Sequence, residues 1–93
     1  MSELHLDLDD SVSYQQSKTY GFSVAEGIDY HCHLFPKASM SLTVTGSLVS
    51  GLSCESSGLN KVCNFTATGN GTVACKVTGS PSGGSFHLHA DDI

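Results

Sequence analysis

Four of the chain's histidines form two copies of His-x-His, in Tyr30-His31-Cys32-His33-Leu34 and in Phe86-His87-Leu88-His89-Ala90. Apolar residues alternate with them, and a two-residue period is that of a β-strand, whose successive side chains point to opposite faces. His31 and His33 therefore share one face, as do His87 and His89, while Tyr30, Cys32, Phe86 and Leu88 turn the other way, toward a core. Neutral imidazole suits zinc, copper and nickel, and four such ligands on neighbouring strands make a tetrahedral transition-metal site. Two other roles fit the same residues: imidazoles tolerated on an exposed strand face, and imidazoles that meet their symmetry copies in an oligomer. His31, His33, His87 and His89 stand as the candidate metal ligands, and zinc or another transition metal is the one cofactor they suggest.

Other chemistry finds less support. No Gly-x-Ser-x-Gly elbow surrounds any serine, and Cys32 points inward between its histidines, so no catalytic residue is assigned and no enzyme activity is expected. Carboxylates cluster at the ends, at Asp7, Asp9 and Asp10 and again at Asp91 and Asp92, where they read as solvated termini or a loose calcium contact. Asn64-Phe65-Thr66 and Asn70-Gly71-Thr72 fit the glycosylation sequon, which matters only on a eukaryotic secretory route.

The elements that must carry these residues are strands. Leu4, Leu6 and Leu8 alternate with polar residues, as do Tyr20, Phe22 and Val24. Ile28, Tyr30, Cys32 and Leu34 then fall on one face. Further strands fit Met40 to Val44, Leu48 to Leu52, Cys63 to Ala67, Val73 to Val77 and Phe86 to Ala90, with no helical period anywhere. Glu26-Gly27 marks a tight turn, Pro36-Lys37-Ala38 stops a strand, Gly69-Asn70-Gly71 signals a hairpin, and the stretch from Gly79 to Gly84 is a loop. The pattern predicts one all-β domain over 1–93, a small antiparallel β-sandwich of jelly-roll type with seven or eight strands and acidic terminal strands. Its expected core is Tyr20, Phe22, Tyr30, Leu42, Val44, Phe65, Val73, Val77, Phe86 and Leu88.

Composition narrows the partners. Four Lys+Arg against nine Asp+Glu leave no basic patch for phosphates, so nucleic acid is not an expected partner. No apolar run is long enough to span a bilayer. A domain of 93 residues buries only about 60 to 65% of its unfolded surface, so bridges, a metal or packing against other copies should help to stabilise it. Four cysteines allow three pairings, and thiols buried as small hydrophobes are a further possibility.

From Tyr20 onward, Tyr20-Gly21-Phe22-Ser23-Val24 before Gly27, the Cys54-x8-Cys63 loop followed by Phe65, Gly71-Thr72, Val77-Thr78-Gly79 and Ser85-Phe86-His87-Leu88 come in an order that resembles the bacterial pre-peptidase C-terminal domain. The middle strand, Ser41-Leu42-Thr43-Val44, departs from that family by lacking its acid and aromatic. The resemblance implies a secreted β-sandwich that attaches to protein or carbohydrate. It also implies a Cys54–Cys63 bridge, leaving Cys32 and Cys75 to pair in the core or to remain thiols.

The N-terminus has neither the basic nor the apolar region of a signal peptide. That absence, with the small size and polar acidic ends, leads to the expectation of a non-catalytic structural subunit of a larger assembly. A capsid decoration (cement) protein of a phage or other virion, or a filament component, would be of this kind, its partners being other copies of itself or other structural proteins. The secreted binding module and the His-x-His metal-binding protein are the alternatives, so the expected location is a virion or the extracellular space.

Overall fold

The computed structural model describes residues 4–93; Met1, Ser2 and Glu3, the start of the acidic N-terminal stretch, lie outside the described residues. Eight strands follow one another: β1 (Leu4–Val12), β2 (Ser17–Val24), β3 (Asp29–Pro36), β4 (Ser41–Thr45), β5 (Val49–Ser57), β6 (Asn60–Ala67), β7 (Gly71–Thr78) and β8 (Gly84–Asp92). They build a five-stranded sheet in the order β1-β8-β3-β6-β5 and a three-stranded sheet in the order β2-β7-β4, with every strand pair antiparallel. The two sheets pack as an open antiparallel sandwich, the expected fold class, and the strand order nests in the jelly-roll manner.

Alternation dictates the core. Tyr30, Cys32 and Leu34 of β3, Phe86, Leu88 and Ala90 of β8, and Cys63, Phe65 and Ala67 of β6 are buried from one side. Phe22 and Val24 of β2, Val44 of β4, and Val73, Cys75 and Val77 of β7 meet them from the other. Of the expected core, Tyr20 and Leu42 are only partly buried, packed against its margin. A one-residue slip of any strand would exchange its apolar set for its polar set, so burial fixes the register.

Two disulfides reinforce this small core. Cys32–Cys75 joins β3 to β7 across the sandwich, and Cys54–Cys63 joins the neighbouring strands β5 and β6. Each contributes about 2 to 4 kcal/mol, mainly by restricting the unfolded chain. Two bridges in so short a chain suggest an oxidising environment such as the extracellular space.

Three local expectations need correction. Gly69-Asn70-Gly71 does not close a hairpin, because β6 and β7 belong to different sheets. Asn70 is used for its side chain, whose Oδ1 accepts the Glu26 N–H at 2.9 Å and so ties this arch to the β2–β3 turn. The hairpin is instead β5–β6, turning at Gly58-Leu59 with Gly58 at φ 62°, in the left-handed region that favours glycine. Ile28 precedes β3 and is exposed, not aligned with Tyr30. A register shift between Leu4 and Leu6 breaks the β1 alternation and brings the His5 ring against Tyr30, with centroids 5.4 Å apart.

Candidate functional site

The outer face of the β1-β8-β3 region gathers the chain's chemistry. β8 is the middle strand of the three, so His87, His89 and Asp91 have neighbours on both sides. On the β3 side His33 lies opposite His89, His31 opposite Asp91 and Phe35 opposite His87. On the β1 side Asp7 lies opposite His89 and Asp9 opposite His87. The same alternation that buries Cys32 and Leu34 turns these side chains to the outer face, where His31, His89 and Asp91 largely cover one another.

Two sub-clusters result. At one end His87 stands between two carboxylates, its Nε2 at 2.7 Å from Asp7 Oδ1 and its Nδ1 at 2.8 Å from Asp9 Oδ1. Both ring nitrogens donate only in the imidazolium. The Asp9 hydrogen bond first, with the charges of both carboxylates adding, accordingly raises the His87 pKa above its ordinary value.

At the other end three imidazoles crowd together. Ring centroids are 5.6 Å apart for His31 and His33, 5.1 Å for His33 and His89, and 6.2 Å for His31 and His89. His31 Nε2 is in contact with Asp91 Oδ1, and His89 Nδ1 lies 3.5 Å from the same oxygen. Both Nε2 of His31 and Oδ1 of Asp91 are shut off from solvent without a hydrogen bond of proper geometry. Partial burial, then repulsion from His89 and His31, lowers the His33 pKa.

Phe35 links the two ends. Its ring stacks on His33 at 4.5 Å and lies parallel to His89 at 5.4 Å. It also lines a depression of about 430 Å³ together with Asp9, Lys37, Ser85 and His87.

Of the four histidines singled out by spacing, three are therefore brought together, and His87 is engaged separately by Asp7 and Asp9. As the side chains stand, no three His, Cys, Asp or Glu among the described residues are posed to hold a metal ion. Asp7 and Asp9 are exposed to solvent as expected, whereas Asp91 and Asp92 are largely covered, and all four have a histidine beside them. Asp7, Asp9 and Asp91 pair with histidines, and Asp92 lies 3.5 Å from His5. Asp10 accepts the Tyr20 hydroxyl at 2.7 Å and lies 3.3 Å from Lys18. Comparison with protein-family models, curated proteins and solved structures finds no match for this chain.

Proposed function

We propose that this chain is a secreted, non-catalytic carbohydrate-binding module whose site is the depression at Phe35. The observation that carries the proposal is the placing of the Phe35 ring beside Asp9, Lys37, Ser85 and His87, with the buried Phe86 also in the lining, in a concavity of about 430 Å³. A pyranose has an apolar C–H face and a rim of hydroxyls. An aromatic ring complements the first, and charged groups form strong hydrogen bonds with the second. The volume lies in the range of small-ligand sites, about 300 to 1,000 Å³. Two disulfides and the resemblance to the pre-peptidase C-terminal domain support the secreted setting. Affinity electrophoresis and calorimetry against a panel of polysaccharides and oligosaccharides test it. Binding by the native chain that is lost in Phe35→Ala is the expected result, and no binding, or binding indifferent to Phe35, rejects it.

The role of structural subunit in a virion (as a capsid decoration or cement protein) or in a filament has its own observation. Strand β5 is an edge of the large sheet, is exposed over nearly its whole length, and carries the exposed Leu52, with the exposed Leu59 in the turn that follows it. Unpaired edges of this kind template pairing with another chain. Sedimentation at rising concentration discriminates: self-association that a Leu52→Lys change abolishes favours the subunit, and a monomer throughout disfavours it.

A further inference from the structure

We infer that His31, His33 and His89, with Asp91 as the fourth donor, form a binding site for a divalent transition-metal ion such as zinc, nickel or copper. The two sites share no residue, although Phe35 of the carbohydrate proposal stacks on His33 and His89, and the zinc titration below reads the metal site without reference to sugar.

The backbone supplies the frame. His33 and His89 are direct register partners, as are His31 and Asp91, so the four residues occupy the corners of one rectangle on two hydrogen-bonded strands. Side chains opposed in this way leave Cβ atoms about 4.5 to 5.5 Å apart. Two imidazoles on one ion, at metal–nitrogen distances of about 2.0 to 2.1 Å, have ring centroids about 5 to 6 Å apart. The separations of His33 from His89 and His31, 5.1 and 5.6 Å, fall in that range, and His31 and His89 stand slightly wider at 6.2 Å.

A second observation is independent of spacing. His31 Nε2 and Asp91 Oδ1 are sealed from solvent and face each other without a satisfactory hydrogen bond, while His89 Nδ1 lies 3.5 Å from the same oxygen. An imidazole nitrogen and a carboxylate oxygen from adjacent strands, held together out of water, are two donors already converged, and an ion that binds them parts them as it enters. The donors do not yet enclose that point, since the His33 and His89 rings lie only 30° from parallel. Closing the site takes rotation about side-chain bonds, with the strands unmoved. The strands are also held rigidly below, where Cys32, between His31 and His33, is bridged to Cys75 of the opposite sheet.

Donor chemistry selects the ion. Three imidazoles and one carboxylate match zinc, nickel and copper far better than calcium or magnesium, which take oxygen ligands. His87 is excluded as a ligand because both of its nitrogens are engaged by Asp7 and Asp9. It is therefore the internal control.

The test uses the full chain with both disulfides intact, stripped of metal by chelator and titrated with zinc chloride at pH 7.5 by calorimetry. Cobalt(II) absorption serves as a spectroscopic second probe. One ion per chain at micromolar affinity or better is expected. His33→Ala and His89→Ala should each weaken binding about 100-fold or more, and His87→Ala by less than about threefold. Should either alanine variant fail to fold, imidazole nitrogen shifts in the native chain answer the same question, with zinc moving His31, His33 and His89 and sparing His87. Absence of binding below millimolar zinc overturns the inference. So does binding that survives the His33→Ala/His89→Ala double change, or that depends on His87 as much as on His89.

Discussion

His33 of β3 and His89 of β8 face each other across one rung of the large sheet, their ring centroids 5.1 Å apart, although 55 residues of chain separate them by the numbering. That juxtaposition comes from the jelly-roll order, which sets the last strand beside β3, and it sits directly above a core pinned by Cys32–Cys75. The face therefore has a rigid base, and the predictions below separate what holds the base from what the face does.

The cross-sheet bridge should be the more stabilising of the two. It spans a sequence separation of 43 against 9 for Cys54–Cys63, and in the chain-entropy account a longer closed loop restricts the unfolded state more. Replacing Cys32 and Cys75 by Ala should lower unfolding free energy by about 3 to 4 kcal/mol, and replacing Cys54 and Cys63 by about 2 to 3 kcal/mol. Urea denaturation of the two double variants checks the order. An equal or reversed loss would show that native packing, not loop entropy, sets the difference.

His87 should make stability fall as pH rises. Its folded pKa is raised by Asp9 and then Asp7, so its contribution is fully present below the unfolded value of about 6.5 and is lost as pH rises through the higher folded value. Titration of the imidazole by NMR should place His87 above about 6.5, and Asp9→Asn should bring it down. A His87 that titrates normally in the native chain would contradict the double carboxylate clamp.

Asp10 should act with the opposite sign. The Tyr20 hydroxyl, the Ser11 N–H and Lys18 hold its carboxyl below the usual range, while burial first and then Asp10 push the Tyr20 phenol up. Its contribution is present above about pH 3.9 and is lost as pH falls through the depressed folded value. Tyr20→Phe removes the leading cause, so carboxyl titration should show Asp10 moving back up toward its ordinary value. No movement would mean that Ser11 and Lys18 suffice.

How much of this was legible follows from what each signal encodes. Two-residue alternation reports the environment of each residue on its own strand. It placed Cys32 and Leu34 inward and His31 and His33 outward, and it marked Phe65, Val77 and Leu88 as core. It says nothing of which strands are neighbours. Hence the pairing of β3 with β8 and the partnership of His31 with Asp91 had to come from the fold. Asp7 and Asp9 are solvated as their position suggests, but their histidine neighbour stayed hidden because a carboxylate's partner on another strand leaves no mark in its own segment. Ile28 misled for a related reason: it continues the apolar rhythm of β3 but precedes the strand, where its backbone bonds Ala25 and Ala67 while its side chain stays exposed.

The last prediction turns on the two turns whose roles were exchanged. If Asn70 were present for a left-handed turn, Asn70→Gly would be tolerated, because glycine takes positive φ at least as readily. Asn70 is instead an acceptor for the Glu26 N–H, and it is not among the residues with positive φ. Asn70→Gly should therefore lower stability by about 1 kcal/mol through the lost hydrogen bond, with a further loss from added backbone freedom, and Asn70→Asp should largely preserve it. Gly58, at φ 62° with open space where a Cβ would stand, should show the converse: Gly58→Ala meets no clash yet costs about 1 kcal/mol from the backbone alone, and Gly58→Asn costs less. Thermal denaturation of the four variants reads both outcomes. A harmless Asn70→Gly together with a harmless Gly58→Ala would return the hairpin role to residues 69–71 and overturn the assignment of β6 and β7 to separate sheets.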